Sequence, residues 1–477
     1  MIVKQKREAF HIQMRRNQRE LIFSKKRILE IPIQISDNNQ AILILQGISQ
    51  NQISLTTFFQ QLTSLLPQFT ELHLQTLPYI QQATTQYIYE IDQSNRQIND
   101  DDLEISECTV LEMLLYLNQL TYYVKIDFSM DDLLDLLLKI LKATNKFKIL
   151  DRICQVLYNI LLDFPEAQPL LLQQNLPTIL TNKYLTNTNF DLLNLKNLLM
   201  ILHKLVKIGY HEYNLIHPIL HKLQNSSNVQ QSQYVEVMEY FFQFLANCSS
   251  SYDPQIIQQV QLFEKFLEFQ YVRWSVDLLF KYDKNYNLVC NIYQFLNNLS
   301  LAACGSSMID QGILSVIQVH LNEKSVPQIL IYSLLTNLIV DDLTSILQCG
   351  ILIRIPAMFR LGFPNSDYIP ELIYCITAAF SKADENQIQD LNKLQLTDCL
   401  VTYVADLPQE LLDLDLCQKI FRILQSIIHL QSQESSENNY ELEKLKNNTM
   451  FVMRCNHIFG LYKDCYCETL LNILFEI

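Results

Sequence analysis

FLNNLSL at Phe295–Leu301 and LLTNLIVDD at Leu334–Asp342 each set an Asn, Asn298 and Asn337, inside an otherwise apolar helical run. Working outward, comparable segments recur in both directions: LYLNQL with Asn118, VLYNILLD with Asn159, ILHKLVK with His203 and FLANCSS with Asn247 upstream. Downstream stand AAFSKAD with Ser381, ILQSIIH with Gln425 and LLNILFE with Asn472. Successive anchors lie 41, 44, 44, 51, 39, 44, 44 and 47 residues apart. A period near 44 falls in the range of armadillo and HEAT helical repeats, about 40–47 residues. A helix pair or triplet of that size cannot bury its apolar face alone, so neighbours stack and share one core. The spacing therefore predicts an all-α fold, a right-handed armadillo/HEAT-type α-solenoid.

Composition agrees. Gly numbers only 7 and Pro 13 in 477 residues, while Leu, Ile, Gln and Asn abound. Few turn residues and many helix formers favour long helices over sheets. The Gln and Asn residues spread through the apolar segments and read as polar helix faces. A polar residue in the middle of an apolar helix is costly to bury unpaired. Two placements satisfy it. The Asn can face a concave groove, where its donor and acceptor grip an extended peptide backbone, or it can bond to the backbone of the neighbouring repeat.

The charge is asymmetric. Residues 1–30 carry nine Lys and Arg against Glu8, Glu20 and Glu30, a net of +6; the whole chain is -14, which leaves -20 for the rest. Phe10, Met14 and Leu21 give this basic segment an apolar helical stripe, and Pro32 ends it. The expected organisation is a basic arm over 1–32, a linker with a first degenerate repeat over 33–107, including an acidic loop from Asn99 to Glu107, and armadillo-like repeats over 108–477.

The arm carries a more specific signal. KREAFHIQMRRNQRELIFSKKR resembles, without a gap, the importin-beta-binding domain of the importin alpha (karyopherin alpha) family. Lys6-Arg7-Glu8 matches its opening, Ile12 and Met14 its apolar pair, Arg15-Arg16-Asn17-Gln18-Arg19-Glu20 its middle, and Lys25-Lys26-Arg27 its terminal cluster. Such a helix followed by armadillo repeats is that family's whole architecture. The resemblance implies a nuclear import adaptor shuttling between cytoplasm and nucleus. Its arm would bind an importin-beta-type carrier and, without a carrier, occupy the chain's own groove. The carrier contacts it implies are Arg7, Ile12, Met14, Arg15, Arg16, Arg19, Lys25, Lys26 and Arg27. For cargo carrying a basic nuclear localisation signal it implies an acidic concave groove with Asn118, Asn159, Asn247, Asn298 and Asn337 as backbone clamps. Asp163, four residues after Asn159, stands where the family binds a key Lys. The family's Trp walls are missing: four residues before the Asn stand Leu114, Gln155, Gln243, Gln294 and Ser333, and Trp274, the only Trp, is off this register. Gln155 and Gln294 can instead hydrogen-bond a peptide or the neighbouring Asn. The alternative is an armadillo-repeat protein-interaction scaffold that has lost signal recognition.

Other classes find little support. The glycines fit neither a phosphate loop nor G-x-G-x-x-G, and His211-Glu212 with His217 misses the zincin spacing, so no enzyme and no cofactor is expected. The -20 body argues against direct nucleic-acid binding. Cys455, His457, Cys465 and Cys467 are spaced too tightly for a zinc knuckle, and the 12 cysteines read as reduced core thiols. No secretory signal is visible and no apolar run approaches the roughly 20 residues of a membrane span, so no membrane insertion is expected.

Overall fold

The computed structural model describes residues 38–65, 73–94, 100–123, 130–186, 192–205, 213–224, 231–250, 255–321, 323, 326–408, 413–434, 440–462 and 465–475. The basic arm, with all nine of its expected contact residues, lies outside them. Every regular element among the described residues is a helix, and the chain divides into two compact units, Met1–Phe244 and Leu245–Ile477.

The first unit opens with α1 (Asn38–Ser49), α2 (Leu55–Leu65), α3 (Leu77–Ser94), α4 (Asp100–Tyr123), α5 (Met130–Ala143) and α6 (Phe147–Asp163). From α3 to α6 the repeat is a helix pair: α3 packs on α5, and α4 on α6. The acidic stretch expected as a loop is the first two turns of α4, and the boundary expected at residue 107 falls within that helix. Negative charge near a helix N-terminus is stabilised by the macrodipole, so this stretch favours the helix that the sequence reading broke. A triplet follows, α7 (Ala167–Gln173), α8 (Leu176–Leu185) and α9 (Leu192–Leu205), then α10 (Tyr213–Gln224) and α11 (Gln231–Cys248), within which the unit boundary falls. Helix α9 packs on α6, and α10 on α8. Lys183 of α8 ties the preceding repeat in place. Its ammonium donates to the carbonyls of Lys142 (3.1 Å) and Thr144 (2.6 Å) and to Asn145 Oδ1 (3.1 Å), at the C-terminal end of α5 where the carbonyls lack helical partners.

The second unit is built of triplets, and in the first four of them the third helix is the longest. They comprise α12 (Ile257–Glu268), α13 (Tyr271–Lys281), α14 (Tyr286–Ser300), α15 (Gly305–Asp310), α16 (Ile313–His320), α17 (Gln328–Cys349), α18 (Ile355–Gly362), α19 (Ile369–Lys382), α20 (Glu385–Lys393), α21 (Leu396–Asp406), α22 (Leu414–Glu434), α23 (Tyr440–Asn447), α24 (Thr449–Tyr462) and α25 (Cys465–Phe475). Helix α17 serves two triplets. Asp342 has non-helical backbone (φ -149°, ψ 76°), so its first part is one third helix and its last turns the next first helix. The third helices stack in order, α14 on α17, α17 on α19, α19 on α22 and α22 on α25.

One turn explains the triplet. Asn175, Gln270, Gly312, Gly350 and Gln395 all have left-handed backbone (φ 56°, 56°, 91°, 72° and 61°), and each joins a first helix to a second. Four residues earlier stand Leu171, Phe266, Met308, Ile346 and Leu391; one residue later stand Leu176, Tyr271, Ile313, Ile351 and Leu396. All are fully buried. The left-handed residue stops the short helix and redirects the chain so that both flanking apolar residues reach the core. Burying each pair contributes on the order of 3–6 kcal/mol, more than the roughly 1–2 kcal/mol a non-Gly residue loses in this conformation. Some starts are also specified locally. Asp384 and Gln387 form a reciprocal capping box on α20 (2.8 and 3.0 Å), and Asn285 caps α14 through Leu288 N–H (3.0 Å).

Helix α17 corrects one expectation. Its 22 residues are long and apolar enough to cross a membrane by length and composition. Half of its apolar window is buried against its neighbours, and it is interrupted at Asp342, as suits a core helix of the stack.

Candidate protein-binding face

Asn298, Asn337 and Asn472 lie on third helices of the second unit; Asn118 and Asn159 lie on the equivalent helices α4 and α6 of the first, and Asn247 lies on α11. Asn118, Asn159 and Asn298 are 0%, 0% and 2% exposed, and Gln155 is 5% exposed. Their amides hold neighbouring repeats together. Asn159 Nδ2 donates to Asn118 Oδ1 (2.8 Å), across from α6 to α4. Asn298 Nδ2 donates to the Ala246 carbonyl (2.7 Å) and Ser249 Oγ (3.2 Å), while its Oδ1 accepts from Gln294 Nε2 (3.1 Å). Asn337 Nδ2 donates to Ser300 Oγ (2.8 Å). Of the two placements open to these residues, the bond to the neighbouring repeat is the one found. For Asn118, Asn159 and Asn298 this corrects the expected peptide contact, since they are buried between repeats; Gln155 is buried too, bonded within its own helix. The reason is geometric. These mid-helix residues turn toward the adjacent stacked helix, where a buried amide finds a side-chain oxygen or, for Asn298, a carbonyl near the end of α11. Gln155 Oε1 accepts from Arg152 Nη1 (3.0 Å), and burial lowers the pKa of that guanidinium.

Asp163, Asn247, Gln294 and Asn337 keep partial exposure. Asp163 ends α6 and belongs to the first unit; Asn247, Gln294 and Asn337 belong to the second. Trp274 sits on α13, a second helix, edge-to-face with Tyr271 (6.5 Å between centroids, 88°), consistent with packing.

The sequence reading missed the tyrosines of this face. Lys204 of α9 lies over the ring of Tyr158 of α6 (5.9 Å), Lys419 of α22 over Tyr374 of α19 (4.9 Å), and Arg422 of α22 over Tyr466 of α25 (3.9 Å). Each pair spans two stacked helices. Burial pushes the Tyr158 phenol up to about 12 and raises Tyr374, whose hydroxyl donates to Asp413 Oδ2 (2.7 Å). These rings accept the chain's own cations, where the resemblance expected aromatic walls for a ligand's cations. The face is also not uniformly acidic. In the first unit Lys196 of α9 pairs with Glu236 of α11 (2.6 Å), and Lys204 of α9 lies over Tyr158. The missed signal was a Tyr or cation on the anchor helix at a helical offset from the Asn register, such as Tyr374 seven residues before Ser381.

Cys455 and Cys467 are buried, adjacent and not joined by a disulfide, with Cys467 Sγ donating to the Cys455 carbonyl (3.0 Å). Among the described residues no group of His, Cys, Asp and Glu is arranged to hold a metal.

The chain is similar to the crystal structure of an engineered protein from a structural genomics consortium, with a TM-score of 0.63 at 14% identity over 93% of this chain and 98% of that one. It also resembles a chain of the complex in which Kap95p binding switches the loops of RanGDP, with a TM-score of 0.49 at 11% identity over 91% of this chain and 56% of that one. The first likeness is one of fold alone, and the second, at that score, adds no argument to it. No protein-family model and no curated protein matches the sequence. Stacked helix pairs and triplets with a shared core define the class: an all-α solenoid of armadillo/HEAT-type repeats.

Proposed function

We propose that the chain is an armadillo-type transport adaptor whose basic arm engages an importin-beta-type carrier and whose third helices, in each unit, take cargo. One observation carries the reading: residues 6–27 follow the importin-beta-binding pattern without a gap, directly ahead of helical repeats. The cations of Arg15, Arg16 and Arg19 would pair with an acidic carrier surface, and Ile12 and Met14 would supply the apolar contact. Basic localisation signals are the cargo of this reading, met by Asp163 in the first unit and by Asn247, Gln294 and Asn337 in the second. In the full-length chain, Arg15→Glu, Arg16→Glu and Arg19→Glu together should abolish capture of an importin-beta-type carrier. Undiminished capture overturns the reading.

A second reading, a scaffold that has lost signal recognition, is favoured by the burial of Asn118, Asn159 and Asn298 and by the absent Trp walls. It predicts that a panel of basic peptides finds no site on the chain even when the carrier occupies the arm.

A further inference from the structure

We propose that the third-helix face formed by α19, α22 and α25 binds an extended acidic segment of a partner protein. Along α22, Lys419, Arg422, Ser426 and His429 recur at i, i+3, i+7 and i+10, which is one face of a helix, and all four are exposed. Tyrosines from the helices on either side lie beneath the two cations: Tyr374 under Lys419 at 4.9 Å and Tyr466 under Arg422 at 3.9 Å. The ring contact orders the Arg422 head group yet leaves its net charge in place. Arg422 is thus pre-positioned, with its planar fork available for bidentate recognition of a carboxylate.

The surroundings favour the same ligand. The carboxylates near this face, Glu371, Asp413 and Asp415, gather at the N-terminal ends of α19 and α22, and Asp413 is engaged by the Tyr374 hydroxyl. From Arg422 to Gln433 α22 has no acidic residue; Lys382 ends α19, and α25 adds only Glu468. Exposed Ser381 and Ser426 donate to the Thr377 and Arg422 carbonyls (2.6 and 3.0 Å), which leaves their oxygens as acceptors for a peptide N–H. Attraction decays over a Debye length of about 10 Å, so these local cations act on a bound segment more strongly than the chain's overall -14. A long nucleic acid is the poorer fit, because it would extend beyond this patch over a negatively charged body. The inference goes beyond carrier binding and stands whether or not the arm engages a carrier.

The test is fluorescence anisotropy on the full-length chain with two labelled peptides, (Glu-Ser)6 and (Lys-Ser)6. The acidic peptide should bind at 50 mM salt, weaken severalfold at 200 mM, and weaken tenfold or more with Arg422→Glu and further with Lys419→Glu added. Arg422→Lys should weaken it severalfold, less than Arg422→Glu, since the charge remains but the planar fork stacked on Tyr466 does not. Ser426→Glu should weaken it severalfold, while Arg273→Glu, on an exposed second helix, should leave it unchanged. No binding of the acidic peptide, equal loss with Arg273→Glu, or preference of the same face for the basic peptide or a single-stranded oligonucleotide overturns the proposal.

Discussion

The helix pairs of residues 77–163 and the triplets of residues 257–434 stack third helices by the same device, a buried amide, but satisfy it differently. In the triplets Asn298 is paired at both ends of its amide, with two acceptors for Nδ2 and a donor for Oδ1. In the pairs Asn118 accepts from Asn159 but its own Nδ2 has no protein partner, and neither does either end of the neighbouring Gln119 amide, 1% exposed. A recurrent Asn is therefore a ladder rung whose value depends on what the next helix presents. A buried amide with partners stabilises, whereas one without costs about 1–3 kcal/mol.

That difference can be broken directly. Asn298→Leu should lower unfolding free energy by about 1–3 kcal/mol, because it removes the bonds to the Ala246 carbonyl, Ser249 Oγ and Gln294 Nε2. Gln119→Met should do the opposite and raise stability by about 1 kcal/mol or more. Thermal denaturation of the two variants measures both signs, and a shared sign would remove the distinction between the regions. The turn offers a sharper version within the triplets. Gln395→Gly relieves a left-handed strain that Gly312 and Gly350 never bear, so it should gain up to about 1 kcal/mol after the entropy cost of Gly, while Gly350→Ala should lose about 1. Equal denaturant midpoints for the two would show that the turn is not strained.

The smallest effect concerns pH. His320, buried in the second unit, bonds through Nδ1 to the Tyr293 hydroxyl (2.9 Å). Burial lowers its pKa, opposed by the charge of Asp283. The folded chain thus holds fewer protons than the unfolded one below the ordinary histidine value of about 6.5, so stability is lost as pH falls through that value. The melting temperature should drop between pH 7.5 and 5.5, and His320→Phe should flatten that slope. A slope unchanged by the substitution would assign it to other groups.

The fold was largely legible. A period near 44 with few turn residues sufficed for an all-α solenoid, because stacking repeats must present their apolar face at a constant interval. The triplet boundaries were not. Asn175, Gln270, Gly312, Gly350 and Gln395 share a backbone conformation but no residue type, so no letter marks the turn. The acidic start of α4 looked like a loop because charge and helix N-terminus read alike in one dimension.

The site was less legible than the fold. The sequence by itself determined the repeat, the basic arm and the absence of Trp from the Asn register. Only the tertiary structure decided what each polar anchor touches. Asn159 and Gln119 are equally polar letters in apolar helices, yet one finds a partner on the adjacent helix and the other does not. Lys419 and Arg422 gained tyrosine beds from helices more than forty residues away in the chain. Periodicity fixes which face of a helix turns toward its neighbour, but the partner on that face comes from another repeat, and it is the partner that sets whether a buried amide or an exposed cation binds the chain itself or something else.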